Sequence, residues 1–167
     1  MNRAQSQHVL LVEGDAHDLE LLQYIFARYS SPFGVRIAPD GEEALRRFFG
    51  DGDYSRVPHS KLPGLIMINS RLPKISGLEV LRRLKSNALT STIPVVMLVA
   101  SAEDYEIQQG YAAGLDGHIE QQIDFRRFAE KVQSTCQWWL GLEDVPETSS
   151  SLWSSPSGLT LSLPSSP

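Results

Sequence analysis

Four short apolar runs of the sequence each end at residues whose side chains differ in chemistry. Glu13 and Asp15 follow one run, Asn69 follows another, Val99 closes a third and Gln121 follows the last. Carboxylates that lie close together bind hard divalent cations, and a carboxylate can also act as a nucleophile. A neutral amide and an aliphatic side chain do neither. With no nucleophile–base pair and no glycine-rich phosphate loop visible, we expect no enzyme.

The apolar runs alternate with segments of helical period. The predicted strands are 9–12, 35–38, 65–68, 94–99 and 118–119, and the predicted helices are one capped by Asp15, then 42–49, 78–85, 102–113 and 125–140. Such alternation predicts an α/β fold, because parallel strands need helical crossovers that pack on both faces of the sheet. The doubly wound order 2-1-3-4-5 of the flavodoxin-like class suits this length. Ligands of such sheets bind beyond the carboxyl ends of the strands, where the residues above meet.

Four segments of the sequence carry a resemblance to a known family. They are Leu10-Leu11-Val12-Glu13, Asp40-Gly41-Glu42-Glu43-Ala44-Leu45, the stretch 65–77 with Leu72-Pro73-Lys74, and Ile93-Pro94-Val95-Val96. Together they resemble a response-regulator receiver domain over residues 8–142. The long loop 50–63 and the ending Phe128…Trp138-Trp139-Leu140 are similar to the small stand-alone regulators that partner bacterial phytochromes.

The resemblance implies a phosphorylation site that this sequence departs from. Active receivers carry two acids after strand one, which hold Mg²⁺, and a phosphorylated Asp after strand three. Here the first acid is Glu13, the second is Gly14, and the nucleophile position is Asn69. The amide is a poor nucleophile, so we expect no acyl phosphate. We also expect Mg²⁺ binding to be lost or weak and no cofactor to be present.

The positions that switch an active receiver differ as well. The hydroxyl position after strand four is Val99, the Lys-Pro after strand five is Gln121-Gln122, and His118 stands at a further switch position. These changes predict a pseudo-receiver that does not accept phosphate and acts by protein–protein interaction in two-component or phosphorelay signalling.

Several alternatives remain open at this stage. Asp15 can substitute for the lost acid, although its position suits a helix N-cap. Asn69-Ser70 can deamidate, and Ser101 can replace the lost hydroxyl. His17 and His118 can join Glu13 in a transition-metal site, which the histidine spacing does not favour. The alternative function is therefore a ligand- or metal-sensing module in the vacated phosphate pocket.

Aromatic and apolar side chains near the chain's end suggest a contact surface. If Trp139 faces the core, Trp138 points away from it and either forms an interface or packs under the tail. Tyr105, Ile107 and Tyr111 of the fourth helix are expected to border the same face. In receivers the surface of helix four, strand five and helix five is the usual dimer and output face. We expect a homodimer there, with a histidine kinase or a paralogous regulator as partner.

The remaining expectations concern composition and the tail. The net charge of −5 argues against nucleic acid, and the absence of a long apolar segment argues against a membrane span and for a cytoplasmic protein. Cys136 lies at core spacing. Residues 1–142 form the predicted domain, and residues 143–167, rich in Ser and Pro, are expected to be disordered. Leu159, Leu161 and Leu163 alternate in a way that also suits a strand added to a partner's sheet edge.

Overall fold

A parallel sheet forms the centre of the computed structural model. The structure describes residues 8–28, 33–52, 54–101, 103, 105–121, 123–141 and 159–161. The sheet order is β2-β1-β3-β4-β5-β6, in which the first five strands are parallel and β6 is antiparallel to β5. The predicted order 2-1-3-4-5 and the α/β class are confirmed.

The elements follow one another in strict alternation up to α5. The strands are β1 His8–Val12, β2 Gly34–Ala38, β3 Leu65–Asn69, β4 Val95–Val99, β5 Gly117–Glu120 and β6 Leu159–Leu161, and the helices are α1 Ala16–Arg28, α2 Gly41–Phe49, α3 Gly77–Lys85, α4 Glu106–Ala112 and α5 Phe125–Leu140. A short 3-10 helix, His59–Lys61, lies in the loop between α2 and β3.

Short polar side chains begin the helices. Asp15 accepts a hydrogen bond from the N–H of Asp18 at 2.9 Å, and Asp40, Ser76 and Asp124 cap α2, α3 and α5 in the same way. Each cap satisfies a backbone donor that the helix itself leaves unpaired. Helix α4 begins at Glu106 instead of at the predicted residue 102, and no side chain caps it.

Two apolar layers lie on opposite faces of the sheet. One packs α2, α3 and α4 against β1, β3 and β4, and the other packs α1 and α5 against the reverse face. Because the central strands are covered on both sides, β3 and β4 are buried at every position. Cys136 is a buried member of the second layer, as expected, and burial raises the pKa of its thiol. None of the helices in the described ranges is long and apolar enough to span a bilayer.

The last strand comes from the predicted tail. Leu159, Thr160 and Leu161 pair with Ile119, His118 and Gly117 of the chain's own β5. For these three residues the expectation of disorder does not hold, because the free edge of β5 offers backbone hydrogen-bonding partners. Leu163 and the rest of 143–167 lie outside the described residues, as does Gln122.

Candidate functional site

The ends of β1 and β3 bring a carboxylate and an amide together. The two strands pair in parallel, with Val12 beside Ile68, so Glu13 and Asn69 emerge at the same edge of the sheet. The Asn69 Nδ2 group donates to Glu13 Oε1 at 2.7 Å, and Asn69 Oδ1 accepts from the N–H of Arg71 at 2.9 Å. Glu13 is 0% exposed and Asn69 6%. The amide is therefore fixed by one neighbour on each side.

The Glu13 carboxylate is buried but surrounded by donors. Its Oε2 atom accepts from the backbone N–H of Asp15 at 3.1 Å, in addition to the Asn69 bond at Oε1. Burial raises the pKa of Glu13 above its ordinary value, and the Asn69 and Asp15 hydrogen bonds partly oppose that shift because they favour the charged form. Both carboxylate oxygens are thus engaged by this chain's own groups.

Gly14 lies where the second acid of an active receiver would stand. A Cβ atom at this position would lie 2.5 Å from the carbonyl oxygen of Pro39, in the turn between β2 and α2. That separation is far shorter than a van der Waals contact, so any side chain here requires the turn to move. The missing Cβ therefore allows the β2–α2 turn to close over the end of β1.

Asp15 serves as a helix cap. Its Oδ1 atom accepts from Asp18 N–H, while its backbone N–H donates to Glu13. The cap confirms the N-terminal role expected from the sequence. Its carboxylate is therefore turned to the first turn of α1, which disfavours the alternative that Asp15 replaces the lost acid.

The carboxyl ends of β4 and β5 lie at the same end of the sheet as Glu13 and Asn69. Val99 is fully buried in the layer beneath α4 and offers no hydroxyl. Gln121 is partly buried, and its backbone N–H donates to the carbonyl oxygen of Val99 at 2.8 Å. An amide carries no charge, so Gln121 supplies no cation to this edge.

His118 is buried in β5 and contacts α4. The Tyr111 hydroxyl and His118 Nδ1 lie 2.9 Å apart, and the two rings meet edge to face. Burial lowers the pKa of His118 and raises the pKa of Tyr111 to about 12, so both side chains favour their neutral forms.

The profile of the response regulator receiver domain matches residues 9–133, which span β1 to most of α5. The chain belongs to the response regulator receiver family. Receiver domains are signalling modules.

Two relatives, one of them also with a solved structure, show where this receiver lies within the family. It is 28% identical to the probable methanogenesis regulatory protein FilR2 of Methanothrix harundinacea over 141 residues, covering 83% of this chain and 86% of FilR2. It is 28% identical to response regulator Rcp1 of Synechocystis sp. over 138 residues, covering 83% of this chain and 92% of Rcp1. The structure of Mn²⁺-bound Rcp1 matches with a TM-score of 0.69 at 27% identity, over 84% of this chain and 99% of that one.

The phosphorylated cyanobacterial phytochrome response regulator RcpA is also similar in structure. It matches with a TM-score of 0.70 at 28% identity, over 84% of this chain and 98% of RcpA. The expected resemblance to the phytochrome-partnering regulators is therefore confirmed. Because coverage of the relatives is high, the likeness is to whole single-domain regulators.

The predicted contact residues do not all lie on the surface of this receiver. Tyr105 is 74% exposed and Trp138 39%, in keeping with a contact role. Ile107 is 9% exposed and packs in the core beneath α4, so the prediction that it lines an interface is wrong. Tyr111 is only partly buried, but its hydroxyl is directed to His118, so it contributes to the fold as well.

The histidines do not converge on the site. His17 is exposed on α1, which packs on one face of the sheet, whereas His118 contacts α4 on the other. Among the residues that the structure describes, no group of three or more His, Cys, Asp or Glu side chains is placed to hold a metal ion. An open groove of about 450 Å³ lies between α3 and α4, lined by Arg82, Lys85 and Gln109 among others.

One feature near the site was not foreseen from the sequence. Lys74 adopts a left-handed backbone conformation, with φ of 69°, that side-chain-bearing residues seldom take. Its ammonium lies 3.4 Å from Asp40 Oδ2, the cap of α2. The β3–α3 loop is thereby tied to the same turn that covers Gly14. A Pro-Lys pair after the strand gives no hint of this, because the ion pair joins residues far apart in sequence.

Proposed function

We propose that this receiver is a phosphorylation-independent response regulator that acts through protein–protein contacts in two-component signalling and catalyses no reaction. The observation that carries the proposal is the buried hydrogen bond from Asn69 to Glu13. It connects the two strand ends that an active receiver joins through its metal and phosphoryl group. In this chain the connection needs neither.

The chemistry of Asn69 supports the loss of phosphate acceptance. An acyl phosphate requires a carboxylate oxygen to attack phosphorus, and the amide is neutral. Its nitrogen already donates to Glu13, and its oxygen already accepts from Arg71. Val99 and Gln121 offer neither the hydroxyl nor the ammonium that would hold phosphoryl oxygens.

The residues at this edge do not fit Mg²⁺. The ion takes oxygen ligands in near-octahedral geometry. Both oxygens of the Glu13 carboxylate accept hydrogen bonds from N–H donors. Gly14 adds no ligand, and the Pro39 carbonyl stands where a side chain would extend. We therefore propose that the protein functions without a bound cation.

The partner is proposed from the family and from the surface. RcpA is described as a phytochrome response regulator, which favours a phytochrome-type histidine kinase as partner, with a paralogous regulator as the other candidate. Homodimerisation is proposed through the face formed by α4, β5 and α5. Tyr105 and Trp138 are large apolar side chains exposed on α4's amino end and on α5, and aromatic residues are enriched at interface cores.

Sedimentation velocity of the full chain tests this function. We expect concentration-dependent dimerisation that is the same with and without Mg²⁺ and acetyl phosphate. Trp138→Ala is expected to raise the dissociation constant by about tenfold, as an interface aromatic does. Tyr24→Ala is the matched control, since Tyr24 is 47% exposed, against 39% for Trp138, but lies on α1.

Two results would overturn the proposal. One is a chain that neither self-associates nor is retained by the dimerisation domain of a phytochrome-type histidine kinase. The other is an association that strengthens on adding the phosphodonor, since a site unable to take phosphate cannot respond to it.

A further inference from the structure

The edge of β5 is covered by the chain's own carboxyl-terminal segment. Leu159–Leu161 pairs antiparallel with Gly117–Ile119, so the backbone groups on that side of β5 face β6. An uncovered edge strand exposes a row of unpaired N–H and C=O groups, which pair readily with a strand from another chain. β6 therefore occupies a surface that is suited to strand addition.

Helix α5 supplies an independent sign that this side of the molecule is covered. Its sheet-facing stripe consists of apolar residues, among them Phe128, Val132 and Cys136. Lys131 and Ser134 lie on a different stripe by helical spacing, yet they are 4% and 2% exposed. Long polar side chains are seldom so buried on a solvent-facing helix surface. The helix face that carries Lys131 and Ser134 is therefore removed from solvent as well.

The covered stripe lies on the side of α5 nearest β5. Burial lowers the pKa of Lys131, and the charge of Glu120, at the end of β5, acts in the opposite direction. The charge of Lys131 in turn lowers the pKa of His118 in the same strand. These effects accord with the packing of α5 on β5, whose Ile119 shares one buried layer with Phe128 and Val132. Trp138 lies seven residues beyond Lys131 on the same helix face and is exposed.

The connection between α5 and β6 is long enough for pairing within one chain. Helix α5 starts just after β5 and runs back along it for about 24 Å, at 1.5 Å per residue. Residues 142–158 must return over that distance, and 17 residues span at most about 56–60 Å. Seventeen residues are therefore long enough to join α5 to β6 within one chain.

We propose that β6 is an intramolecular cap that competes with a second copy of this chain for the β5 edge. The inference rests on the proposed function, because the capped edge belongs to the α4, β5 and α5 face proposed for dimerisation. β6 shows that the edge accepts an antiparallel strand, and a twofold axis perpendicular to β5 would place the β5 strands of two copies antiparallel. Release of β6 then exposes the backbone groups of this edge.

A pair of adjacent prolines in the full chain removes the cap. In a strand, every second backbone N–H donates to the same neighbouring strand. Either Leu159→Pro or Thr160→Pro therefore removes an N–H of β6 that donates to β5. The matched control is Ser150→Pro with Ser151→Pro, which places the same pair elsewhere in the tail. Hydrogen exchange of β5 amides reports the pairing, and sedimentation velocity reports self-association.

The expected results separate the cap from the dimer. In the wild type and the control, all amides of Gly117–Glu120 are protected. In the 159/160 variant, the alternate amides that face β6 lose at least about tenfold protection, while those bonded to β4 keep theirs. The dimer dissociation constant of this variant is expected to fall at least about threefold below the control value.

Each other outcome overturns a distinct statement. Unprotected edge amides in the wild type mean that β6 does not pair with β5, whatever the oligomeric state. Lost protection with unchanged or weaker self-association means that β6 is not a competitor of a second copy. If the chain still binds the kinase when self-association is not strengthened, the proposed function is retained and only the proposal of a competing cap is rejected.

Discussion

The buried Glu13 carboxylate takes its hydrogen bonds from neutral donors, the Asn69 amide and the Asp15 N–H. This arrangement stabilises a charged group in the protein interior without a counter-charge, and it holds the ends of β1 and β3 together. It also explains why the effect of a substitution at Asn69 depends on Glu13 and Gly14. An aspartate at position 69 would bring two carboxylates to hydrogen-bonding distance, and Gly14 leaves no room for the acid that would help to bind a cation between them.

Asn69→Asp is therefore expected to destabilise the protein by about 2–3 kcal/mol at pH 8, because like charges meet in a buried site. The two carboxyl groups at positions 13 and 69 would bind a proton more tightly in the folded protein than in the unfolded chain. The folded pKa is raised, so stability is retained below the unfolded carboxyl pKa of about 4 and lost as the pH rises through the folded value. Urea denaturation at pH 5 and pH 8 measures the difference.

Asn87→Asp is the control for this prediction. Asn87 is exposed, and its Oδ1 atom accepts from the N–H of Leu89, a bond that a carboxylate also makes. We expect little change at either pH. If Asn69→Asp were as stable as the wild type at pH 8, the Glu13–Asn69 hydrogen bond would not hold the two strand ends as described.

At the scale of elements, Lys85 connects three parts of the fold. Its ammonium donates to the carbonyl oxygens of Ser91 and Ile93 and to Asp116 Oδ2, at 3.2, 2.8 and 2.9 Å. The same Asp116 oxygen accepts from the N–H of Val95. The end of α3 is thereby joined to the starts of β4 and β5, which fixes the strands whose far ends form the site.

Lys85→Met is expected to lower the free energy of unfolding by about 2–4 kcal/mol, since it leaves a partly buried carboxylate and two carbonyls without their donor. Arg83→Met removes a charge from the same helix. Its ion pair with Glu79 is half exposed, so a loss of about 0.5 kcal/mol or less is expected. Denaturant unfolding of both variants measures the contrast, and equal losses would mean that the Lys85 contacts do not stabilise the fold.

The elements themselves were largely predictable from the sequence. Uninterrupted apolar runs predict strands covered on both faces, and Asp15 and Asp124 mark helix starts through their capping chemistry. The exception is the interface position predicted for Ile107. An apolar residue on a short helix has the same appearance in the sequence whether it faces a partner or the core, and here it faces the core.

The site was predictable in its residues but not in its contacts. The sequence places Glu13, Asn69 and Val99 at strand ends, because parallel strands align their carboxyl ends. It does not reveal that Asn69 donates to Glu13, or that the Pro39 carbonyl stands against Gly14. Both depend on the approach of segments distant in sequence. The pairing of Leu159–Leu161 with β5 was missed for the same reason.

At the scale of the whole molecule, the receiver scaffold is present, and we propose that it acts without phosphorylation. The sheet, the helices and the family match over residues 9–133 are those of a response regulator. The edge where phosphate would bind is instead closed by hydrogen bonds among this chain's own residues. In our proposal, signalling depends on which surfaces are exposed, and the β5 edge is the surface that release of β6 would change.

The central claim is tested most directly by intact-mass spectrometry after incubation with acetyl phosphate and Mg²⁺, and separately with a phytochrome-type histidine kinase and ATP. A phosphorylatable receiver, treated in parallel, shows that the donors are active. The account predicts no phosphoryl mass on this chain under conditions that label the control fully. A stoichiometric phosphoryl adduct that hydroxylamine removes would identify an acyl phosphate on a carboxylate, and it would contradict the claim that this receiver functions without phosphate.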